Sequence, residues 1–370
     1  MSEKIFLMRP LVGQEELDLI GEVLESGFLT EGPQVAAFEE KVAAYLGVKY
    51  AIATTSCTTA LELALWALGI GPGDEVIIPD FTYPATALAV YRLGATPVLV
   101  DVDPDTYNIT PEAIIQARGP KTRAVIPVSL FGQPLSQEIY DTCCQLGLWV
   151  IEDAACSLGA AIQGKKTGTL AHLTCFSFHP RKVITTGEGG MVVTNDEHLA
   201  EKIRSLKRFG LRPLKTGLHF VDWGTNYKMS DVQGALGVVQ MERLEAIVED
   251  RIKKASYYQE LLSGLSGILP PKIIQGGRHI FQTYACRLSE PQKRDPLRSF
   301  LAKRNIETQI GTFALHLEPA FLKTPRVGDL SNSELLYHSL IALPLHHQLT
   351  PEQQEQIVAC IKDFLREDQT

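Results

Sequence analysis

Apolar residues recur at helical spacing over positions 14–26 and again over 35–46, each stretch presenting one apolar and one polar face. Short apolar runs bounded by turns then read as strands at 50–54, 75–79, 96–101, 124–127, 149–152, 174–178 and 190–194. Between them, helical spacing predicts helices at about 59–68, 85–93 and 137–145. Strands that are apolar on both faces are those that helices cover on both sides, so the alternation predicts an α/β fold with a mostly parallel central sheet. A single long helix rich in Ala, Leu and Glu is predicted over 232–262, ending near Gly264 and leading out of this region. Beyond it, a strand at 282–288 and helices at 296–305 and 351–365 predict a smaller C-terminal α+β domain. The expected division is a large domain over 1–245 and a small one over 246–370. The longest stretch without periodicity, 208–226, is a candidate functional loop.

Composition narrows the function. The 370 residues carry 35 Lys and Arg against 43 Asp and Glu, a formal charge of −8 with no basic tract, which leaves no electrostatic footprint for nucleic acid or an anionic membrane. No uncharged apolar run is long enough to span a bilayer. Charge returns at Arg9, Glu15 and Glu16 before a signal-peptide core can form, so a cytoplasmic address is expected. Seven cysteines, an odd number without C-x-x-C spacing, are expected to be buried reduced thiols rather than a disulfide frame or a metal site.

Three stretches carry candidate chemistry. In the segment 174–190, a strand breaks at Pro180 and places Lys182 in a short turn before Gly187, Gly189 and Gly190. A lysine pointing from such a turn into a cleft is expected to have its pKa lowered by desolvation, which makes the amine a Schiff-base former. Taken alone, the segment reads first as a solvated lysine beside a tight turn. In 150–159 an apolar strand ends in Glu152 and Asp153. A carboxylate at the C-terminal edge of a parallel strand faces the ligand crevice, where Asp153 suits the protonated pyridine nitrogen of pyridoxal phosphate (PLP). It suits a helix N-cap equally well, and Glu152 reads as structural. The polar turn 53–60 sets hydroxyls and free amides at a helix N-terminus, which fits a phosphate or ordinary capping by Ser56 or Thr58. After the strand 75–79, the segment 80–85 puts Phe81 and Tyr83 at the same sheet edge, where a ring can stack on a flat cofactor or pack in the core.

In this order and spacing the chain resembles the DegT/DnrJ/EryC1/StrS family of PLP-dependent sugar aminotransferases. The resemblance rests on Ser26-Gly-Phe-Leu-Thr-Glu-Gly-Pro33, Gly71-Pro-Gly-Asp-Glu-Val-Ile-Ile-Pro79, Asp101-Val-Asp-Pro-Asp-Thr-Tyr-Asn108, Phe176-Ser-Phe-His-Pro-Arg-Lys182 through Gly190, and Asn226-Tyr-Lys-Met-Ser-Asp231. It implies PLP fold type I, like aspartate aminotransferase, and the cofactor PLP. It further implies that Lys182 forms the Schiff base, that Asp153 holds the pyridine nitrogen and that Tyr83 stacks on the ring. Thr58, Thr59 and Ser177 match phosphate-binding positions, and Asn226 matches an asparagine that reaches the phosphate of the neighbouring subunit in a homodimer. Leu29, Thr30 and His316 are implied near the substrate mouth.

Two positions depart from the family pattern. Cys57 stands where the phosphate turn usually has Gly, which puts the geometry of that turn in question. Cys156 stands where His or Gln usually faces the cofactor's ring oxygen, and a thiol is the weaker partner. The reaction implied is transfer of an amino group from glutamate or glutamine to a keto-sugar, most simply one carried on a nucleotide. A keto-cyclitol acceptor and a non-catalytic regulator of the same fold are the alternatives. A dehydratase relative is disfavoured because such proteins carry His at the position of Lys182. An anionic nucleotide-sugar also requires a local cluster of Lys and Arg near the subunit interface of this acidic chain.

Overall fold

A computed structural model describes residues 4–367. Its central sheet has eight strands in the order Tyr50–Thr54, Gly190–Thr194, Leu173–Ser177, Trp149–Asp153, Thr122–Val125, Glu75–Pro79, Thr96–Val100 and Arg326–Val327. Every neighbouring pair is parallel except those made by Gly190–Thr194, which is antiparallel to both its neighbours. The sheet is therefore mostly parallel, as its apolar strands predict. Ile52, Ile78, Ile151 and Val192 point to one side, where they pack with Leu61, Leu65, Ala87 and Ile203 of covering helices. Ala53, Phe176 and Val193 pack on the other side against Phe38, Val42, Leu244 and Val248. Each of the larger side chains among them, fully buried, contributes on the order of 1.5–3 kcal/mol.

The predicted helices form, with boundaries shifted by a few residues at most. The helix predicted at 59–68 starts earlier, at Cys57, because Ser56 caps it. Helices Pro111–Ala117, Glu197–Leu206 and Ser331–Ser339 are additions that the periodicity did not single out. The aperiodic stretch 208–226 contains a hairpin, Leu211–Leu214 paired with Gly217–Phe220. Its residues are largely exposed, so no burial pattern marks it.

The long helix Asp231–Leu262 ties the molecule together. Ser230 caps it, accepting from the Gln233 amide at 3.3 Å while Gln233 Oε1 accepts from the Ser230 amide at 3.0 Å. The buried Asp231 carboxylate in turn accepts the amides of Gln34 and Val35 at 3.2 and 2.8 Å, so it caps the helix Pro33–Leu46 as well. Close approach of the two helices depends on glycine. A Cβ at Gly234 would stand 2.5 Å from the Val35 amide nitrogen, and one at Gly237 would stand 2.6 Å from the Phe38 ring.

The far half of the long helix, with Ala255, Tyr258 and Leu262, enters a second core made by the antiparallel strands Tyr284–Leu288 and Leu340–Leu343 and the helices Arg294–Ala302 and Pro351–Glu367. The chain does not stay there. Phe313–Ala314 pairs with Phe81–Thr82, and Arg326–Val327 extends the central sheet. Near the start of the chain, Ile5 bridges to Ile306. The seven cysteines are all free, but the expectation of uniform burial fails. Cys144 is exposed on its helix, and Cys156 and Cys360 are half-buried. No described helix is long and apolar enough to cross a membrane.

Gly234→Ala is expected to lower the urea midpoint. The helix propensity gain of about 1 kcal/mol is outweighed by a backbone clash costing roughly 1–3 kcal/mol. Gly21, in the helix Gln14–Ser26, has nothing within 4 Å of its would-be Cβ. There the same change should raise the midpoint, and equal effects at the two sites would refute the packing argument.

Candidate active site

Neighbouring strands end at one edge of the sheet, and that edge gathers most of the candidate residues. Tyr50–Thr54 leads into the turn at Ser56, Trp149–Asp153 ends on Asp153, Leu173–Ser177 leads to Lys182, and Glu75–Pro79 leads to Asp80 and Tyr83. Gly190 opens the antiparallel strand at this same edge, in register with Thr54 and Ser177.

At the first of these turns Ser56 adopts an extended backbone, and its hydroxyl accepts from the Thr59 amide at 3.2 Å. The Thr59 hydroxyl accepts from the Ser56 amide at 3.0 Å, so it is occupied in a reciprocal cap. Thr58 is half-buried beside it. The amides of Cys57 and Thr58, in the first helical turn, have no acceptor among the described residues, and such amides attract an anion. Cys57 does not distort the turn. Its side chain lies buried beneath it, with Sγ 3.9 Å from Asp153 Oδ1 and 3.6 Å from the Cys175 carbonyl oxygen. The close backbone approach is made by Gly190 instead, where a Cβ would stand 2.2 Å from the Ser56 oxygen.

Asp153 is buried, and its carboxylate accepts from the Thr86 hydroxyl at 2.8 Å and from the Ala155 amide at 3.2 Å. Burial raises its pKa, and these donors, Lys182 and Cys57 only partly offset the effect. Thr86, itself fully buried, was not singled out from the sequence. It sits among small residues of the helix Ala85–Arg92, and only the fold brings its hydroxyl to Asp153. The adjacent Glu152 is fully buried in a network of its own. The Ser129 hydroxyl donates to one oxygen and the Tyr140 hydroxyl to the other at 2.9 Å. Burial outweighs these bonds and pushes Glu152 up to about 7.

Lys182 lies in a closed loop. Its amide donates to the His179 carbonyl at 2.8 Å, Thr186 returns to the Phe178 carbonyl at 2.9 Å, and Gly187 takes a left-handed φ of 80°. Lys182 Nζ is 3.2 Å from Cys156 Sγ. Burial pulls its pKa down, but Cys156, Cys57 and Asp153 outweigh burial and hold the amine above the ordinary lysine value. The expected lowering by desolvation is thus reversed by its neighbours. Ser177 is half-buried at the strand end, its hydroxyl accepting weakly from the His179 amide at 3.4 Å.

The remaining candidates are less enclosed or differently engaged. Tyr83 is exposed, with its ring edge-on to Phe313 at 6.4 Å. Asn226 is exposed on the segment that follows the hairpin, bridged to Arg208 and accepting from Lys228. Leu29 and Thr30 are exposed beside the start of the long helix, where the Leu29 carbonyl receives the Asp231 amide. His316 is buried rather than set at an open mouth. Its amide and Nδ1 both bond the Asp80 carboxylate, at 2.8 and 2.7 Å, which fastens a C-terminal segment to the sheet edge.

A half-buried lysine near a buried carboxylate, beside free amides at a helix start, is the donor set of a phosphate-bearing carbonyl cofactor. Residues 10–362 match the model of the DegT/DnrJ/EryC1/StrS aminotransferase family. The chain belongs to that family. A member of known activity, the GDP-perosamine synthase of Caulobacter vibrioides, is 37% identical, with 98% of each chain covered. Among solved structures, the aminotransferase TlmJ of Streptoalloteichus hindustanus superposes with a TM-score of 0.93 at 31% identity, covering 99% of this chain and 100% of that one. PseC of Helicobacter pylori, an aminotransferase involved in pseudoaminic acid biosynthesis, gives 0.93 at 26%, with the same coverage. The fold is that of PLP fold type I, and the chain is a PLP-dependent aminotransferase of the sugar aminotransferase family. The residues present fit the cofactor. Asp153 is a buried carboxylate short of positive charge, which a protonated ring nitrogen supplies, and the Cys57 and Thr58 amides suit a phosphate.

Because the folded state holds Glu152 near 7, against an ordinary value of 4.5, its ionisation works against folding. The favourable contribution is complete below the ordinary value and is lost as pH rises through about 7. Glu152→Gln should therefore gain in melting temperature over the parent between pH 5 and pH 8, as followed by calorimetry, and a pH-independent difference would contradict this assignment.

Proposed function

We propose that this aminotransferase moves an amino group from glutamate or glutamine to a keto-sugar carried on a nucleotide. The observation that carries the reading is the meeting of Lys182, Asp153 and the Cys57–Thr59 turn at one sheet edge. The nucleotide-linked acceptor is supported by the full-length likeness to a GDP-perosamine synthase. When bound, PLP supplies the electron sink for the carbon that loses its proton. The Cys57 and Thr58 amides, with the Thr58 and Ser177 hydroxyls, would hold its phosphate, Thr59 would fix the turn through its cap with Ser56, and Tyr83 would cover its ring. Asp153 would keep the ring nitrogen protonated, with Thr86 and the Ala155 amide fixing the carboxylate. A positive group seated on Asp153 removes one of the charges that hold Lys182 protonated. The Lys182 amine would then take the proton from the donor's carbon in one half-reaction and deliver one to the acceptor's carbon in the other.

We also infer a homodimer with shared sites. The hairpin carries Leu218, Phe220 and, just beyond it, Trp223, 67%, 72% and 93% exposed, an apolar surface that an isolated chain leaves in water. Arg208, Arg212, Lys215 and Lys228 lie on the same segment as Asn226. Arg208 already pairs with Glu31 and Arg212 with Asp222, so Lys215 and Lys228 are the cations this segment would bring to an anionic substrate.

Glutamate should change the visible absorption of the PLP-loaded protein, and a keto-sugar nucleotide should restore it. Lys182→Ala should lower turnover by roughly 10²–10⁴-fold or more, and retention of both the band and turnover would sink the reading. For the shared site, Lys182→Ala and Asn226→Ala proteins should regain activity when mixed, at PLP concentrations where neither turns over alone. A mixture that stays inactive while sedimenting as exchanged dimers would remove Asn226 from the partner's site.

A further inference from the structure

Two cavities adjoin the lysine loop. One, of about 270 Å³, is bordered by Tyr83, Gln282, Thr283 and Thr312 together with apolar residues. The other, of about 340 Å³, is bordered by Pro10, Pro180 and Glu307. Leu7, Met8, Gln309 and Arg181 line both.

Among the described residues, Arg181 is the one cation lining either cavity, and Glu307 the one carboxylate. Their situations differ. Glu307 is already engaged, by Lys4 and by the Leu7 amide at 3.1 Å. The Arg181 side chain is exposed and makes no hydrogen bond or ion pair with any described residue, although its charge helps to lower the Glu307 pKa. Its backbone is nevertheless held from both sides. The amide donates to His179 Nδ1 at 3.2 Å, and the carbonyl accepts from Gln282 Nε2 at 2.6 Å. Gln282 is in turn fixed through its own carbonyl by the buried Arg251. A positive group on a braced backbone, next in the chain to Lys182 and set at the join of two cavities, is a preorganised receptor for an oxyanion.

We propose that Arg181 anchors an anionic group of the substrate, a carboxylate or a phosphate, so that the reacting carbon lies over the Tyr83 side of the cleft. The inference rests on the aminotransferase reading and names the part of the substrate that this site grips. The cavity beside Tyr83, of about 270 Å³, falls just below the roughly 300–1,000 Å³ of ligand sites, room enough for an amino acid or a sugar ring but not for a whole nucleotide-sugar. Whatever the acceptor carries beyond its sugar must pass Arg181 into the second cavity. A carboxylate of the amino donor reaches the same guanidinium from within.

The test uses the PLP-loaded protein and compares the parent with Arg181→Gln and Arg181→Lys. Because Gln282 and His179 hold only backbone atoms of residue 181, both variants keep the loop braced. Two constants are measured: the half-saturating glutamate concentration from the visible absorption change, and the Kd of inorganic pyrophosphate by calorimetry. Arg181→Gln should weaken at least one of them roughly tenfold or more, the effect of one charge-assisted pair, while the limiting rate with glutamate stays within about threefold. Arg181→Lys should recover part of the loss, since it keeps the charge without the planar fork. A shift in the glutamate constant assigns the donor's carboxylate, and a shift in the pyrophosphate constant assigns the nucleotide's phosphates. Both constants within about twofold of the parent would overturn the role of Arg181 while leaving the aminotransferase reading intact. A parent protein whose spectrum responds to neither glutamate nor glutamine overturns both.

Discussion

A carboxylate buried at the end of a central strand is the constraint around which the rest of this molecule is arranged. Asp153 has little water to stabilise its charge, and its three neutral donors, the Thr86 hydroxyl, the Ala155 amide and the weaker Cys57 thiol, do not fully replace it. Such a group is tolerable only where something positive completes it. Lys182 supplies part of that charge from the lysine loop, and the loop in turn closes on the antiparallel strand through Phe178 and Gly189. The first helical turn comes close because Gly190 has no side chain to hold it off. Sheet order, loop closure and local electrostatics thus converge on one unsatisfied charge, which is the condition a cationic ring nitrogen relieves.

The backbone frame is legible from the sequence because it depends on periodicity. The strands Tyr50–Thr54, Glu75–Pro79 and Gly190–Thr194 and the helices Gln14–Ser26 and Gln137–Gln145 stand at the boundaries their apolar spacing implies. What escapes is decided by partners distant in the chain. The strand Arg326–Val327 has two residues and joins the sheet only by meeting Thr96–Val100, and the hairpin after Phe209 buries too little of itself to leave a pattern. Three helices, Pro111–Ala117 among them, likewise have no apolar spacing that sets them apart.

The site divides in the same way. Lys182, Asp153 and the Ser56 turn announce themselves by composition next to strand ends. Thr86 does not, because a threonine inside a helix looks the same whether its hydroxyl meets water or a carboxylate. Cys57 misleads for the opposite reason. A side chain at a position that usually lacks one appears to obstruct the turn, yet it finds space beneath the helix against Cys175. His316, implied near the substrate mouth, lies buried with its amide and Nδ1 on the Asp80 carboxylate, a contact no local sequence pattern announces.

The strand Gly190–Thr194, wedged between Tyr50–Thr54 and Leu173–Ser177, has a consequence for how the chain is made. Tyr50–Thr54 has no other neighbour in the central sheet, so this early strand stays unpaired on the ribosome until synthesis has passed Thr194. Domains with such distant pairings fold slowly and expose unpaired edges meanwhile. The phosphate turn and the lysine loop flank that same late pairing, so the catalytic edge is among the last parts of the sheet to be assembled.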